Sequence, residues 1–210
     1  MENVLVAGAN GTTGKKIVNL LKASQYFNPV AMVRKEEQQE QFKKEGITTV
    51  LGDLEKDLFH TLEHIEKVIF AAGSGGEKVI AVDQEGAKNL MNASKKANIK
   101  KFVMLSSMGA DNPKASEDLQ EYLEAKLNAD EYLKSSGLTY SIVRPGSLTN
   151  DAGTGKIKLQ SKMNQQGSIT RDDVAQTLVR SLHDDAVINQ TIEIIQGETL
   201  IGEALDEVAV

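Results

Sequence analysis

Residues 3–14 read NVLVAGANGTTG, and the reading of this stretch decides the fold. Asn3–Ala7 is too short and too β-branched for a helix, and a glycine ends it, so it reads as a buried strand. Thr13–Ser24 follows with helical spacing that places Ile17, Leu20 and Leu21 on one face. Between them, Gly8, Gly11 and Gly14 recur at every third position. Gly8 lets the chain turn sharply. Gly11 lets a pyrophosphate approach the backbone, and Gly14 lets the helix pack close to the strand. The helix N-terminus then presents free N–H groups and partial positive charge to phosphates. Asn10, Thr12 and Thr13 stand in the same turn, where their hydroxyl, side-chain or backbone amide groups add contacts. The stretch therefore predicts a dinucleotide site at the start of a parallel sheet.

Outward from this turn the same alternation continues. Strands are expected at Pro29–Val33, Thr48–Leu51, Val68–Ala72, Phe102–Leu105 and Tyr140–Val143. Helices are expected over Glu36–Glu45, about Lys78–Ala97 and Asp118–Ser135, with Gly46 and Gly137 as stops. Strand and helix alternate through residue 146, which predicts a Rossmann-type doubly wound α/β sheet, covered on both faces. After Pro145 the texture changes. Residues 147–168 are rich in Gly, Ser, Thr, Asn and Gln. A helix near Asp172–Leu182, a strand near Thr191–Ile195 and a short terminal helix complete the chain. The expectation is a single domain over 1–210, in which 147–210 form a small C-terminal lobe that completes the sheet edge and roofs the pocket.

Bulk properties narrow the chemistry. The 210 residues contain no cysteine, which excludes thiol catalysis, disulfides and Cys-ligated zinc. The net charge of −6 argues against nucleic acid and anionic lipid as partners. No charged leader precedes an apolar run, and no stretch approaches about 18 uncharged apolar residues. A cytoplasmic protein with a small-molecule substrate and no membrane partner is expected; the oligomeric state stays open. No metal set is expected either: His60 and His64 are four apart without a third ligand, and read as surface residues.

The end of the second strand separates the two nicotinamide cofactors. An NAD site usually carries Asp or Glu there for the ribose 2′-OH. This chain has Val33-Arg34-Lys35 instead. Two cations suit a 2′-phosphate, with the Arg34 guanidinium as the fork, so NADP is the expected cofactor. Glu36 and Glu37 follow closely, which keeps NAD open.

Taken together, GANGTTG at 8–14, GD at 52–53, AAG at 71–73, KFVMLSS at 101–107, YLEAK at 122–126 and SIVRPGSLT at 141–149 resemble the short-chain dehydrogenase/reductase superfamily, in its atypical, NmrA-like branch of NAD(P)-binding epimerase/dehydratase proteins. The resemblance covers nearly the whole chain. It implies that Asp53 and Leu54 meet the adenine, and that Ala71, Ala72 and Gly73 line the ribose and phosphates. It places Pro145 beside the nicotinamide, Ser107 where the superfamily's serine polarises a carbonyl, and Ser106 next to it. Complete members carry an Asn on the helix after the fourth strand. Asp83 stands there here and cannot donate an amide N–H, so the proton relay that Asn supports is expected to be altered.

Tyr122 and Lys126 are four apart on a predicted helix and share a face. A phenol by itself, with a pKa of about 10, is a poor acid or base near neutral pH. A neighbouring ammonium and the oxidised nicotinamide both stabilise a phenolate. The set Ser107, Tyr122, Lys126 and Asp83 therefore predicts an oxidoreductase or epimerase-like enzyme acting on a small carbonyl or alcohol, with Tyr122 as acid/base and Lys126 also holding the ribose. Two alternatives stand beside it: a non-catalytic NADP-sensing regulatory protein, and a flavin or quinone reductase that does not need Tyr122. The pocket walls are expected from 74–80, 108–116 and 147–168.

Overall fold

A computed structural model describes residues 1–208. The expected alternation is realised as β1 (Glu2–Ala7), α1 (Thr12–Lys22), β2 (Phe27–Val33), α2 (Glu36–Lys44), β3 (Thr48–Leu51) and β4 (Lys67–Phe70). A π-helical segment (Val79–Gly86) runs into α3 (Ala87–Lys96), then β5 (Lys101–Leu105), α4 (Gln120–Ser135) and β6 (Tyr140–Pro145). The rest comprises β7 (Ser147–Thr149), β8 (Lys156–Gln160), β9 (Ser168–Thr170), α5 (Arg171–Arg180), β10 (Gln190–Gln196), β11 (Thr199–Leu200) and α6 (Ile201–Asp206).

Nine strands form one sheet in the order β11-β8-β10-β6-β5-β4-β1-β2-β3. From β3 to β10 every neighbouring pair is parallel; β8 is antiparallel to β10, and β11 to β8. The chain winds outward from β1 to β3, then returns to place β4 on the other side of β1. That reversal opens a crevice at the carboxyl ends of β1 and β4, the general ligand position in such sheets.

Alternation along the strands builds two cores. Val4, Val6, Ala31, Val33 and Ile69 face α1 and α5, with Ile17, Val18 and Leu21 packed on them. Leu5, Ala7, Met32, Phe70, Phe102 and Met104 face α3 and α4. Both faces are apolar because both are covered. One helical expectation is corrected here: Leu20 is exposed and Val18 takes its place in the core, because the buried stripe of α1 runs through Gly14, Ile17, Val18 and Leu21 and Leu20 lies outside it.

Two further corrections concern regions where local signals mislead. The predicted helix over 78–97 is not uniform, since its first two turns are π-helical. Wide turns of this kind collect at functional sites. The polar run 147–168 also contains β7 and β8 and ends on the first residue of β9. Their polar composition carries little strand propensity, and pairing to partners elsewhere in the sequence decides them. Among the described residues no helix is long and apolar enough to cross a membrane.

Two buried lysines close the opposite end of the sheet. Lys67, at the start of β4, donates to the Leu182 carbonyl (2.9 Å) and pairs with Asp184 (2.6 Å) and Glu2 (2.8 Å). Lys101, at the start of β5, donates to the carbonyls of His183 (2.7 Å) and Ala186 (2.6 Å). Burial, with the charge of Lys67 beside it, lowers the Lys101 amine to about 8. In the unfolded chain it returns toward 10.5. Between these values the unfolded chain binds more protons than the folded one, so this group's contribution to stability rises with pH. Urea unfolding of wild type and Lys101→Met should show the difference moving in favour of wild type by about 2 kcal/mol between about pH 7 and about pH 9.5. A pH-independent difference would mean that Lys101 is not buried as a charge.

Candidate functional site

The glycine turn has the shape that the sequence requires. Gly8 has φ of +86°, and a Cβ there would stand 2.6 Å from the Ala72 backbone. A Cβ on Gly14 would stand 2.0 Å from the Gly8 carbonyl oxygen. The first position therefore needs the left-handed conformation and the second needs empty space. Gly11 donates its N–H to the Gly8 carbonyl (2.9 Å) and caps α1 without a side chain. The first turn of α1 carries no acid. Its N–H groups and positive end are thus left for an anion. Gly11, Thr12 and Asn10 are exposed, while Thr13 is buried. A pyrophosphate fits this cradle: the backbone is bare where it must approach, and the charge is of the right sign.

At the end of β2, Arg34 and Lys35 are exposed, and neither makes an ion pair among the described residues, although Glu36 and Glu37 follow them. Their backbone N–H groups are held by Gln38 Oε1, at 3.1 and 3.3 Å. Asp53 is half-buried and accepts the Glu55 N–H (3.1 Å). Leu54 is buried instead under Gly86, where an added Cβ would come within 2.8 Å of the leucine Cβ. Ala71 and Ala72 are half-buried and Gly73 is exposed beside the Gly8 turn.

The π-helical turn carries Asp83 inward, to the foot of this loop. Asp83 Oδ2 accepts both the N–H (2.9 Å) and the hydroxyl (2.7 Å) of Ser74. Its Oδ1 lies 3.2 Å from Lys126 Nζ, and both side chains are buried. Lys126 Nζ in turn lies 5.5 Å from the centroid of the Tyr122 ring. Asp83, Lys126 and Tyr122 therefore meet, with the Ser74 loop joined to them. The expected departure from Asn at position 83 has a concrete form: a carboxylate paired directly with the lysine.

Ser107 stands past the end of β5, half-buried, with its hydroxyl donating to the Met108 carbonyl (3.3 Å). No hydrogen bond joins it to Tyr122 among the described residues. The Met108 N–H donates to the carbonyl of Pro145 (3.0 Å), which fastens the Ser107 turn to the end of β6. The neighbouring Ser106 turns the other way. Its hydroxyl donates to Asp130 Oδ2 (2.9 Å) inside the protein. His60 is exposed and bonded to the Leu51 carbonyl, His64 is exposed, and no acid–histidine group among the described residues has a metal-binding arrangement.

Sequence reading missed Asp130 and Arg144. Arg144 Nε and Nη2 converge on Asp130 Oδ2, at 2.9 and 2.8 Å, and both side chains are buried. Burial pushes the Asp130 carboxyl above its usual value, against the opposing pull of Arg144. Arg144 Nη1 also stands 4.0 Å from Asp111, which pairs with Lys162. Burial raises the Asp111 carboxyl, but the hydrogen bond and charge of Lys162 outweigh it and hold the group low. Two signals were legible: an arginine inside an otherwise apolar strand, and an acid one helical turn beyond Lys126 on the same face.

Comparisons with known proteins bear on the family and the fold. Residues 8–185 match the model of a family described as NAD(P)H-binding. The uncharacterized sugar epimerase YhfK of Bacillus subtilis is 39% identical over 96% of this chain and 98% of its own. A solved Bacillus halodurans structure, named among NAD-dependent epimerases/dehydratases, is 37% identical with a TM-score of 0.94, over 99% of this chain and all of that one. The oxidoreductase ylbE of Lactococcus lactis is 30% identical with a TM-score of 0.89, over 98% of this chain and 96% of that one.

Proposed function

Because the chain belongs to this NAD(P)H-binding family, we propose that it is an NADP-dependent oxidoreductase or epimerase-like enzyme acting on a small carbonyl or alcohol, with Tyr122 as its acid/base. The observation that carries this reading is the position of Lys126. Its ammonium is buried against Asp83, lies beside the Tyr122 ring, and is linked through Ser74 to the loop bordering the glycine turn.

The bound cofactor would supply the hydride donor or acceptor. The chain's own residues supply the rest. Gly8, Gly11 and Gly14 with the α1 N-terminus hold the pyrophosphate. Arg34 and Lys35 hold the 2′-phosphate. The Ser107 hydroxyl polarises the substrate oxygen once it leaves the Met108 carbonyl. The Tyr122 hydroxyl gives that oxygen a proton in reduction and takes it back in oxidation. Lys126 supports the phenolate that results. Asp83 compensates the buried ammonium, which would otherwise be costly without a partner.

The first test is consumption of NADPH with para-nitrobenzaldehyde and phenanthrenequinone as carbonyl probes. Turnover is expected with NADPH in preference to NADH. A protein that binds neither nucleotide would overturn the proposal. The cofactor assignment has its own test in Arg34→Gln. A charged hydrogen bond is worth about 1.5–3 kcal/mol, so NADPH affinity should fall by about tenfold to a hundredfold while NADH affinity stays the same. Equal losses for both nucleotides would take the 2′-phosphate role away from Arg34.

A further inference from the structure

Tyr122, Lys126 and Asp130 recur at four-residue steps and form one stripe along α4. The stripe descends into the protein: Tyr122 is half-buried, Lys126 is 3% exposed and Asp130 is fully buried. The apolar grip around it is weak in shape. Besides Leu123 and Leu133, the buried apolar positions of α4 are the alanines Ala125 and Ala129. Hydrophobic burial is non-directional, and small side chains interlock little. Something directional must set the rotation and height of this helix over the sheet.

One guanidinium meets that need. Asp130 Oδ2 accepts hydrogen bonds from two donors, Arg144 Nε and the Ser106 hydroxyl, and lies 2.8 Å from Arg144 Nη2 in the ion pair, while Asp130 Oδ1 has no hydrogen-bond partner. Arg144 is carried by β6, Ser106 follows β5, and Asp111 faces Arg144 from the turn that begins at Ser107. The buried Asp130–Arg144 pair therefore joins α4 to Ser106 at the end of β5 and reaches Asp111 in the Ser107 turn at 4.0 Å, and these elements carry Tyr122, Lys126 and Ser107.

We propose that the Asp130–Arg144 pair, completed by Ser106 and Asp111, is the positioning device that fixes Tyr122 and Lys126 against Ser107. Its catalytic consequence rests on the Tyr122 reading above. Its geometric content does not. A buried ion pair is a poor source of stability compared with apolar packing, but it is specific in distance and direction. A slip of one residue would move α4 by about 1.5 Å along its axis and rotate it by about 100°. A misplacement of about 1 Å is enough to cost about a hundredfold in rate.

The test keeps the fold intact. Asp130→Asn with Arg144→Gln exchanges the buried charges for amides that still hydrogen-bond, so no charge is stranded. Ser106→Ala removes one of the two hydrogen-bond donors and leaves the ion pair. The absence of cysteine allows spin labels at Glu124→Cys on α4 and Lys158→Cys on β8, whose separation reports the seat of the helix without any turnover. In the double variant that distance should broaden or shift by about 1.5 Å, and in Ser106→Ala by less. NADPH binding, read from nicotinamide fluorescence, should be retained, with any loss confined to the Lys126 contact with the ribose, because the glycine cradle lies on other elements. With para-nitrobenzaldehyde, kcat should fall by about a hundredfold with KM little moved. An unchanged distance in both variants would overturn the proposal, as would full kcat in a double variant whose helix has moved. A changed distance in a protein that turns over no carbonyl would support the clamp and count against the Tyr122 chemistry.

Discussion

Tyr122→Phe is expected to lower kcat with a carbonyl substrate by about 10²–10⁴-fold while leaving NADPH affinity within about twofold. The substitution removes one oxygen and keeps the ring. Lys126 Nζ lies 5.5 Å from the ring centroid and keeps its Asp83 partner at 3.2 Å, so the buried charges stay compensated. The phenol hydroxyl makes no hydrogen bond among the described residues, so its loss strands no buried partner and stability should be unchanged. The loss should therefore appear in kcat, since an interaction made only in the transition state has been removed. Steady-state kinetics beside nucleotide titration decides the matter. Unimpaired turnover would sink the acid/base role and favour the stacked flavin or quinone alternative, in which the acceptor needs no proton from Tyr122. Tight NADPH binding without turnover of any acceptor would favour the sensing alternative.

Gly14→Val is expected to abolish dinucleotide binding and to destabilise the protein by about 3 kcal/mol or more. Even an alanine Cβ would sit 2.0 Å from the Gly8 carbonyl oxygen and 2.8 Å from its carbon. These are backbone atoms, which cannot swing aside like a side-chain tip. Overpacking of this kind typically costs about 1–3 kcal/mol, and the valine adds two methyl groups to it. Relief can come only from lifting α1 off β1, which moves its N-terminal N–H groups away from the phosphates. Nucleotide titration and thermal unfolding should therefore report linked losses. Gly11→Ala is the milder comparison, because its Cβ would meet only the Gly8 carbonyl oxygen at 3.3 Å. A Gly14→Val protein with native stability and NADPH affinity would show that helix and strand do not need this close approach.

Much of the fold was legible for local reasons. Strands β1 to β6 and the helices between them follow apolar period and glycine punctuation, whereas the order 3-2-1-4-5-6 is given by the structure. The region after Pro145 was not legible to the same degree. β8 is polar in composition, and it is a strand because Ile194 and Ile195 of β10 present it with an edge. The π-helical register at Val79–Gly86 was equally hidden, since nothing in VIAVDQEG separates a wide turn from an ordinary one. Tertiary pairing of Asp83 with Ser74 and Lys126 accompanies it there.

The glycine turn was determined by sequence alone. Gly11 and Gly14 approach the Gly8 carbonyl within one strand–turn–helix unit and Gly8 needs its left-handed φ of +86°, and such short-range constraints leave their mark in residue type and spacing; that Gly8 also packs on the Ala72 backbone is decided by the fold. Arg34 is a local signal of the same kind, a single residue at a strand exit, and the proposed NADP preference rests on it. What only the tertiary structure decided is which distant charges meet. Asp83 with Lys126, and Asp130 with Arg144, are 43 and 14 residues apart, and both pairs form on the buried face of α4. A charged side chain can reach any opposite charge that the fold brings near, and no periodicity encodes that choice. The burial that makes these pairs consequential exists only once the sheet and α4 have closed over them.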